Sequence, residues 1–270
     1  KLPNGEFNVC IPLKYLIGFA EDYNKILINA KHELILTRSS SDLNCVKISP
    51  ADYADNVEMS LSKVVWRVPH IKVSDEQRLR LMKYLENDTI ITSNFRSWDI
   101  YEYPTLPSTT NVVWTVKTTT QLEKPRYIIL ALQTDRKNHI EKDTSIFDHC
   151  NISNVRVFLN SEQYPYEALN LNFKQNKISL LYEAYSNFQK SYYNRDVQPL
   201  FDIDFFRSKS PLFIVDCVHQ NETVKTGPVD VKIEIDTIDN IPSNTSAYCL
   251  LIHDRIINYS PLTNSVVKIQ

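Results

Sequence analysis

VDVKIEID, residues 229–236, alternates without a break. Val229, Val231, Ile233 and Ile235 fall on one side of an extended chain, with Asp230, Lys232, Glu234 and Asp236 on the other. Successive side chains of a strand point to opposite faces, so the pattern describes a strand with one face in a core and one in water. Such alternation belongs to antiparallel sheets, because strands buried in parallel sheets read as continuous apolar runs.

Outward from this stretch, further strand-like runs recur at residues 7–13, 25–28, 32–36, 64–68, 95–103 (FRSWDIYEY), 112–116, 126–133, 155–159, 169–173, 211–218, 247–253 and 266–269. Most are β-branched or aromatic and are bounded by Asn, Pro, Asp or Ser. Two helices interrupt them. Ser74-Asp75-Glu76-Gln77 is a capping box, with Leu79, Leu81, Met82 and Leu85 behind it. From 177 to 192, Ile178, Leu181, Tyr182, Tyr185, Phe188 and Tyr192 share one helical face, an aromatic stripe read as a surface that packs on a sheet. A parallel α/β fold needs a helix between nearly every pair of strands, so an antiparallel, mainly β architecture is expected. Polar QLEKPR, 121–126, is the expected connection between two β units, 1–120 and 125–270.

Composition narrows the function classes. Three glycines stand in 270 residues, where average usage gives roughly 19. Phosphate-binding loops that depend on glycine are therefore absent. The 23 asparagines are the expected turn formers, since Asn tolerates left-handed backbone. Net charge is −2 and no Lys/Arg block stands out, so the folded body is not expected to bind nucleic acid directly. The longest apolar run, Tyr127–Leu132, is too short to span a bilayer. No signal segment opens the chain, so an intracellular location is expected. Cys10, Cys45, Cys150, Cys217 and Cys249 form no C-x-x-C pair and read as reduced thiols. Sequons stand at Asn87, Asn151, Asn221, Asn244 and Asn258, close to the number chance supplies.

Candidate chemistry is sparse. Cys217 and His219 would share a face of a strand, which would suit a Cys/His hydrolase. Asp148-His149-Cys150 is the other tight cluster. Neither has the second ligand pair that zinc requires. Asp202 with Asp204, and Glu234 with Asp236, could each share a face, but Lys232 among the latter marks a solvated surface. No catalytic, cofactor-binding or metal residue rises above background, and no enzyme or cofactor is expected.

IPLKYLIGFAEDYNKILINAKHELIL, 11–36, places Ile11-Pro12-Leu13 before an acidic, aromatic loop (Phe19 to Tyr23) and ends in His32-Glu33-Leu34. The segment resembles one found in double jelly-roll major capsid proteins of large DNA viruses and virus-like transposons. VRVFLNSEQYP, 155–165, resembles a strand and turn of that family, with Ser161 where the family has Gly. Together with PRYIILALQTDRKN (125–138), FDHCNISNVRVFLNSEQYPY (147–166) and NTSAYCLLIHDRI (244–256), the sequence resembles double-jelly-roll-like proteins of invertebrate genomes, which look like capsid genes of integrated viruses. The resemblance implies two antiparallel jelly-roll sandwiches and a structural subunit that self-associates as pseudo-hexagonal homotrimers, in a virion if the gene is viral. The family carries several strands before its Ile-Pro-Leu segment, and only ten residues precede Ile11 here. The expectation is a first roll that is incomplete, or a chain that is part of a longer product. A host-repurposed jelly roll that binds carbohydrate or protein is the rival reading.

Overall fold

The computed structural model describes residues 6–48, 58–117, 124–218 and 229–269. In chain order the elements are a 3-10 turn Leu13–Tyr15, helices α1 (Gly18–Asp22) and α2 (Asp75–Glu86), and strands β1 (Ile91–Tyr103), β2 (Asn111–Lys117), β3 (Pro125–Thr134), β4 (Ile152–Leu159) and β5 (Glu162–Tyr164). Helices α3 (Ser179–Tyr193) and α4 (Ile203–Lys209) follow, then β6 (Phe213–Asp216), β7 (Val231–Thr237), β8 (Thr245–Ser260) and β9 (Ser265–Lys268). One sheet has the order β1-β8-β3-β6, with β9 also on β8, and the other has the order β2-β7-β4-β5. The strand pairings defined by register are antiparallel, as the alternation requires.

The alternating stretch forms β7, the strand between β2 and β4. Val231, Ile233, Ile235 and Thr237 are buried, while Lys232, Glu234 and Asp236 are turned outward. Ile233 pairs with Trp114 on one side and Val157 on the other. Their side chains join a core that also takes Ile128, Leu130 and Leu132 from β3 and Ala247, Cys249 and Leu251 from β8. Burying a large aliphatic side chain is worth roughly 1.5–3 kcal/mol, so this core dominates the favourable side of folding. Strand β3 is buried on both faces. Its Tyr127 meets Phe188 edge-on at 5.1 Å and Tyr192 at 6.3 Å, both from α3.

The aromatic stripe of α3 is thus a packing face. Leu181, Tyr185 and Tyr192 are buried. Tyr185 stacks on Phe206 of α4 at 4.7 Å, and the Tyr182 hydroxyl donates to the Phe201 carbonyl at 2.9 Å. Helix α4 lay outside expectation: in residues 200–206 only the acids Asp202 and Asp204 were read, as a pair that could share a face. Asp202 accepts from the Phe205 amide at 2.7 Å as its N-cap, and Phe206 becomes fully buried. There are four α-helices among the described residues rather than two.

Two compact units divide the chain. The first is Lys1–Ile35, Val65–Trp98 and His253–Gln270; the second is Leu36–Val64 and Asp99–Ile252. Strands β1 and β8 each contribute residues to both. The core cluster belongs to the second unit. The first is held largely by polar links. The Tyr259 hydroxyl donates to the Ile28 carbonyl at 3.0 Å, Asn29 donates to the Pro261 carbonyl at 2.7 Å, and Thr92 donates to Asn258 at 2.8 Å. Asp22 at the end of α1 accepts from the Arg96 amide at 2.7 Å and pairs with its guanidinium. Phe19 stacks on Tyr23 and meets Phe95 edge-on.

Several expected strands are absent. Residues 7–13, 25–28, 32–36 and 64–68 are not strands, and 169–173 supplies only an isolated bridge, Asn172 with Lys177. Alternation supplies an apolar edge, but a strand exists only when a neighbouring strand bonds its backbone, and no strand pairs with these segments among the described residues. The acidic, aromatic loop is in fact mostly α1. In the expected linker, 121–123 lie outside the described residues, and Pro125 and Arg126 already belong to β3.

The turns obey the composition. Twelve described non-glycine residues have positive φ, and nine are Asn: 29, 138, 151, 160, 170, 176, 194, 244 and 264. Asn194 ends α3 at φ 51°. Gly18 answers a different need. A Cβ there would sit 1.9 Å from the Arg96 carbonyl oxygen, so only glycine lets α1 approach β1 this closely.

Candidate functional site

The chemical candidates resolve into structural roles. Cys217 is 1% exposed, and burial, reinforced by Asp216 and Cys249, pushes its thiol well above the ordinary range. A buried thiol that stays protonated is not a nucleophile. His219 lies outside the described residues. Cys249 is likewise buried and pushed up to about 12.

Asp148, His149 and Cys150 point at different partners. Asp148 accepts from the Thr134 amide at 2.9 Å and from the Arg136 guanidinium at 3.0 and 2.7 Å. The His149 ring stacks on Phe173 at 4.3 Å, and its Nδ1 accepts from the Asn151 amide at 3.0 Å. Burial is the main cause holding the His149 pKa below its ordinary value. Cys150 takes φ 43°, and burial raises its thiol pKa. The cluster builds a turn.

The carboxylate pairs also separate. Asp202 caps α4, and Asp204 pairs with Arg207 at 3.1 Å within that helix, so the two do not share a strand face. Glu234 and Asp236 do share the outer face of β7. Arg156 of β4 lies across them, 2.6 Å from Asp236 and 3.5 Å from Glu234, and Lys232 is 3.0 Å from Glu234. The lattice of opposite charges is the solvated surface the alternation predicts. Among the described residues no group of three His, Cys, Asp or Glu could hold a metal, and no helix is long and apolar enough to cross a membrane.

What distinguishes the surface is apolar. Phe7, Val9, Ile11, Tyr15 and Leu16 are each more than half exposed, as are Ile35, Leu36, Leu61, Val64 and Val65. Helix α2 is capped by Ser74 as its sequence predicts, but it buries no residue, and Leu79 is 62% exposed. Soluble chains seldom leave so many large apolar groups in water unless something covers them. In FRSWDIYEY, by contrast, Phe95, Trp98, Tyr101 and Tyr103 are half-buried strand residues, and Tyr103 packs edge-on to Trp114.

A cleft of about 730 Å³ lies between α3 and β6. Tyr127, Leu181, Phe188, Phe213 and Val215 form its apolar wall, with Lys190 among the polar residues that also line it. Tyr127 is 1% exposed, and its hydroxyl has no hydrogen-bond partner among the described residues. The sequence showed each of these residues as a core position. It offered no sign that they enclose a space, because that depends on α3 returning to β6.

Comparison with known proteins bears on this arrangement. The model of the double jelly roll-like domain family matches residues 1–257. No curated protein matches the sequence. Among solved structures, that of the Sputnik virophage by cryo-electron microscopy is similar at a TM-score of 0.41 and 10% identity, covering 66% of this chain and 38% of that one. The crystal structure of the mavirus major capsid protein is similar at a TM-score of 0.36 and 8% identity, covering 66% and 41%. The chain spans less than half the length of either of these chains.

Proposed function

Because the chain belongs to the double jelly roll-like domain family, we propose that it is a capsid-like structural subunit that self-associates as homotrimers and then into larger arrays. The observation that carries the reading is the exposed apolar surface along residues 7–16, 35–36 and 61–65. A subunit surrounded by copies of itself has use for such a surface, and a solitary one does not. In this reading residues 1–120 belong to a first jelly-roll unit and residues 125–270 to a second. Assembly, not catalysis, is the role, with a virion as the location if the gene serves a virus. An origin in an integrated virus accords with the resemblance. The chain has a net charge of −2 and no Lys/Arg block, which supports a folded body that does not bind nucleic acid directly.

Light scattering on the purified chain, with electron microscopy of the same fraction, tests the reading. Particles of three times the chain mass, or hexagonal arrays, are expected. A monomer at every accessible concentration overturns it and brings forward a jelly roll repurposed to bind carbohydrate or protein.

A further inference from the structure

The register of β6 on β3 determines which way its backbone faces. Tyr127 pairs with Asp216, Ile128 with Val215, Ile129 with Ile214 and Leu130 with Phe213. Beyond the strand, the Cys217 amide donates to the Arg126 carbonyl at 2.9 Å. In an antiparallel ladder such bonded pairs alternate with unbonded ones. Phe213, Val215 and Cys217 therefore turn their N–H and C=O groups toward β3, and Ile214 and Asp216 turn theirs away. Among the described residues the sheet ends at β6, so those outward groups form an edge that no described strand pairs. Phe213 and Val215 face the core side, Ile214 and Asp216 the other, and all four line the cleft against α3. The cleft thus runs along the free edge of the strand.

A free edge beside an apolar cleft is the arrangement that takes an extended peptide as an added strand, backbone to backbone, with alternate side chains in the cleft. One segment of this chain has the matching need. Phe7, Val9 and Ile11 alternate with Asn8 and Cys10, stand 59%, 66% and 58% exposed, and join no strand among the described residues. Five extended residues reach about 17 Å, which covers the roughly 13 Å of a four-residue strand.

We propose that residues 7–11 of a second copy of this chain add to the free edge of β6, placing Phe7, Val9 and Ile11 in the cleft beside α3. Ile214 and Asp216 gain ladder partners. The inference rests on the self-associating reading but adds a specific joint to it.

Hydrogen exchange at the Ile214 and Asp216 amides of the full chain, measured across a concentration series, tests it. Exchange should slow by at least roughly tenfold as assemblies form. Phe7→Asp combined with Ile11→Asp, on a segment outside the core, should abolish that slowing. Ile214→Pro should do the same, because its lost N–H faces away from β3 and leaves the β3 ladder bonds in place. A synthetic FNVCIPL peptide should restore protection to the arm variant. If wild-type chains assemble but these amides exchange as fast as in the arm variant, the joint is wrong while the capsid-like reading stands. Protection independent of concentration, or protection that persists in the arm variant with a small apolar molecule seen by native mass spectrometry, overturns the proposal.

Discussion

Truncating Ile233 to alanine probes the inward and outward faces of β7 directly. Ile233 is fully buried, with Trp114 opposite it on β2 and Val157 on β4. The substitution removes three carbons, roughly 2.4 kcal/mol at about 0.8 kcal/mol per methylene. Because β7 is bonded on both sides, the space cannot collapse, and the residual cavity raises the cost to about 3–4 kcal/mol. Glu234, one residue on, faces water with Lys232 and Arg156 as its ion partners. Exposed pairs contribute about 1 kcal/mol or less, so Glu234→Ala should cost at most a third as much. Urea unfolding followed by tryptophan fluorescence should show the Ile233→Ala midpoint lowered by about 1–2 M, taking a slope of roughly 2–3 kcal/mol/M. The Glu234→Ala midpoint should fall by less than about 0.5 M. Equal shifts for the two, or an Ile233→Ala cost within about 0.5 kcal/mol of zero, would refute the assignment of faces.

Other outcomes follow from the same coordinates. In native protein, iodoacetamide should label exposed Cys10 and Cys45, whereas buried Cys217 and Cys249 react only on unfolding; rapid native labelling of Cys217, read by mass spectrometry, would revive a thiol chemistry. Asn160 holds φ 55° in the turn between β4 and β5, and its side chain accepts from the Asp230 amide at 2.8 Å; both Asn160→Ala and Asn160→Gly lose that bond, and the alanine should cost about 1–2 kcal/mol more because of the left-handed backbone, as thermal unfolding will show. Gly18→Ala must displace the Arg96 carbonyl and should destabilise the first unit by about 1–3 kcal/mol, visible as faster exchange at the Arg96 amide and unchanged exchange in β7. His149 has a depressed folded pKa, so the unfolded chain binds its proton more readily. Its stabilising effect is complete above the ordinary value of 6.5 and is lost as pH falls from there toward the folded value. His149→Phe should flatten the pH dependence of stability in that window, and an unaltered slope would show that another group governs it.

Strand-by-strand, legibility followed burial. Residues 229–236 declared one wet and one dry face, and β7 has them. The runs at 112–116, 126–133 and 155–159 were read with similar success, since each is an apolar pattern fully used by the core. Ser74 and Gln77 announced the start of α2, because a cap is a contact between residues three apart. Asparagine abundance foretold left-handed turns, since a single residue's side chain and backbone decide that matter. Asp202 and Asp204 were read as acids that could share a face, but Asp202 caps α4 and Asp204 pairs with Arg207 inside it, because the helix sets their spacing.

The sequence by itself determined the antiparallel, mainly β class and the aromatic packing face of α3 in its local patterns. These depend on period, composition and contacts within one turn of chain. Only the tertiary structure decided that residues 7–13, 25–28 and 32–36 join no strand among the described residues, that Gly18 must admit the Arg96 carbonyl, and that α3 and β6 enclose a cleft. Each of those facts is a relation between segments far apart in the chain. Pairing requires a neighbour's backbone, a close approach requires something to approach, and a cavity requires walls that meet. Alternation can say that a segment wants a partner; the fold says whether the partner comes from the same chain.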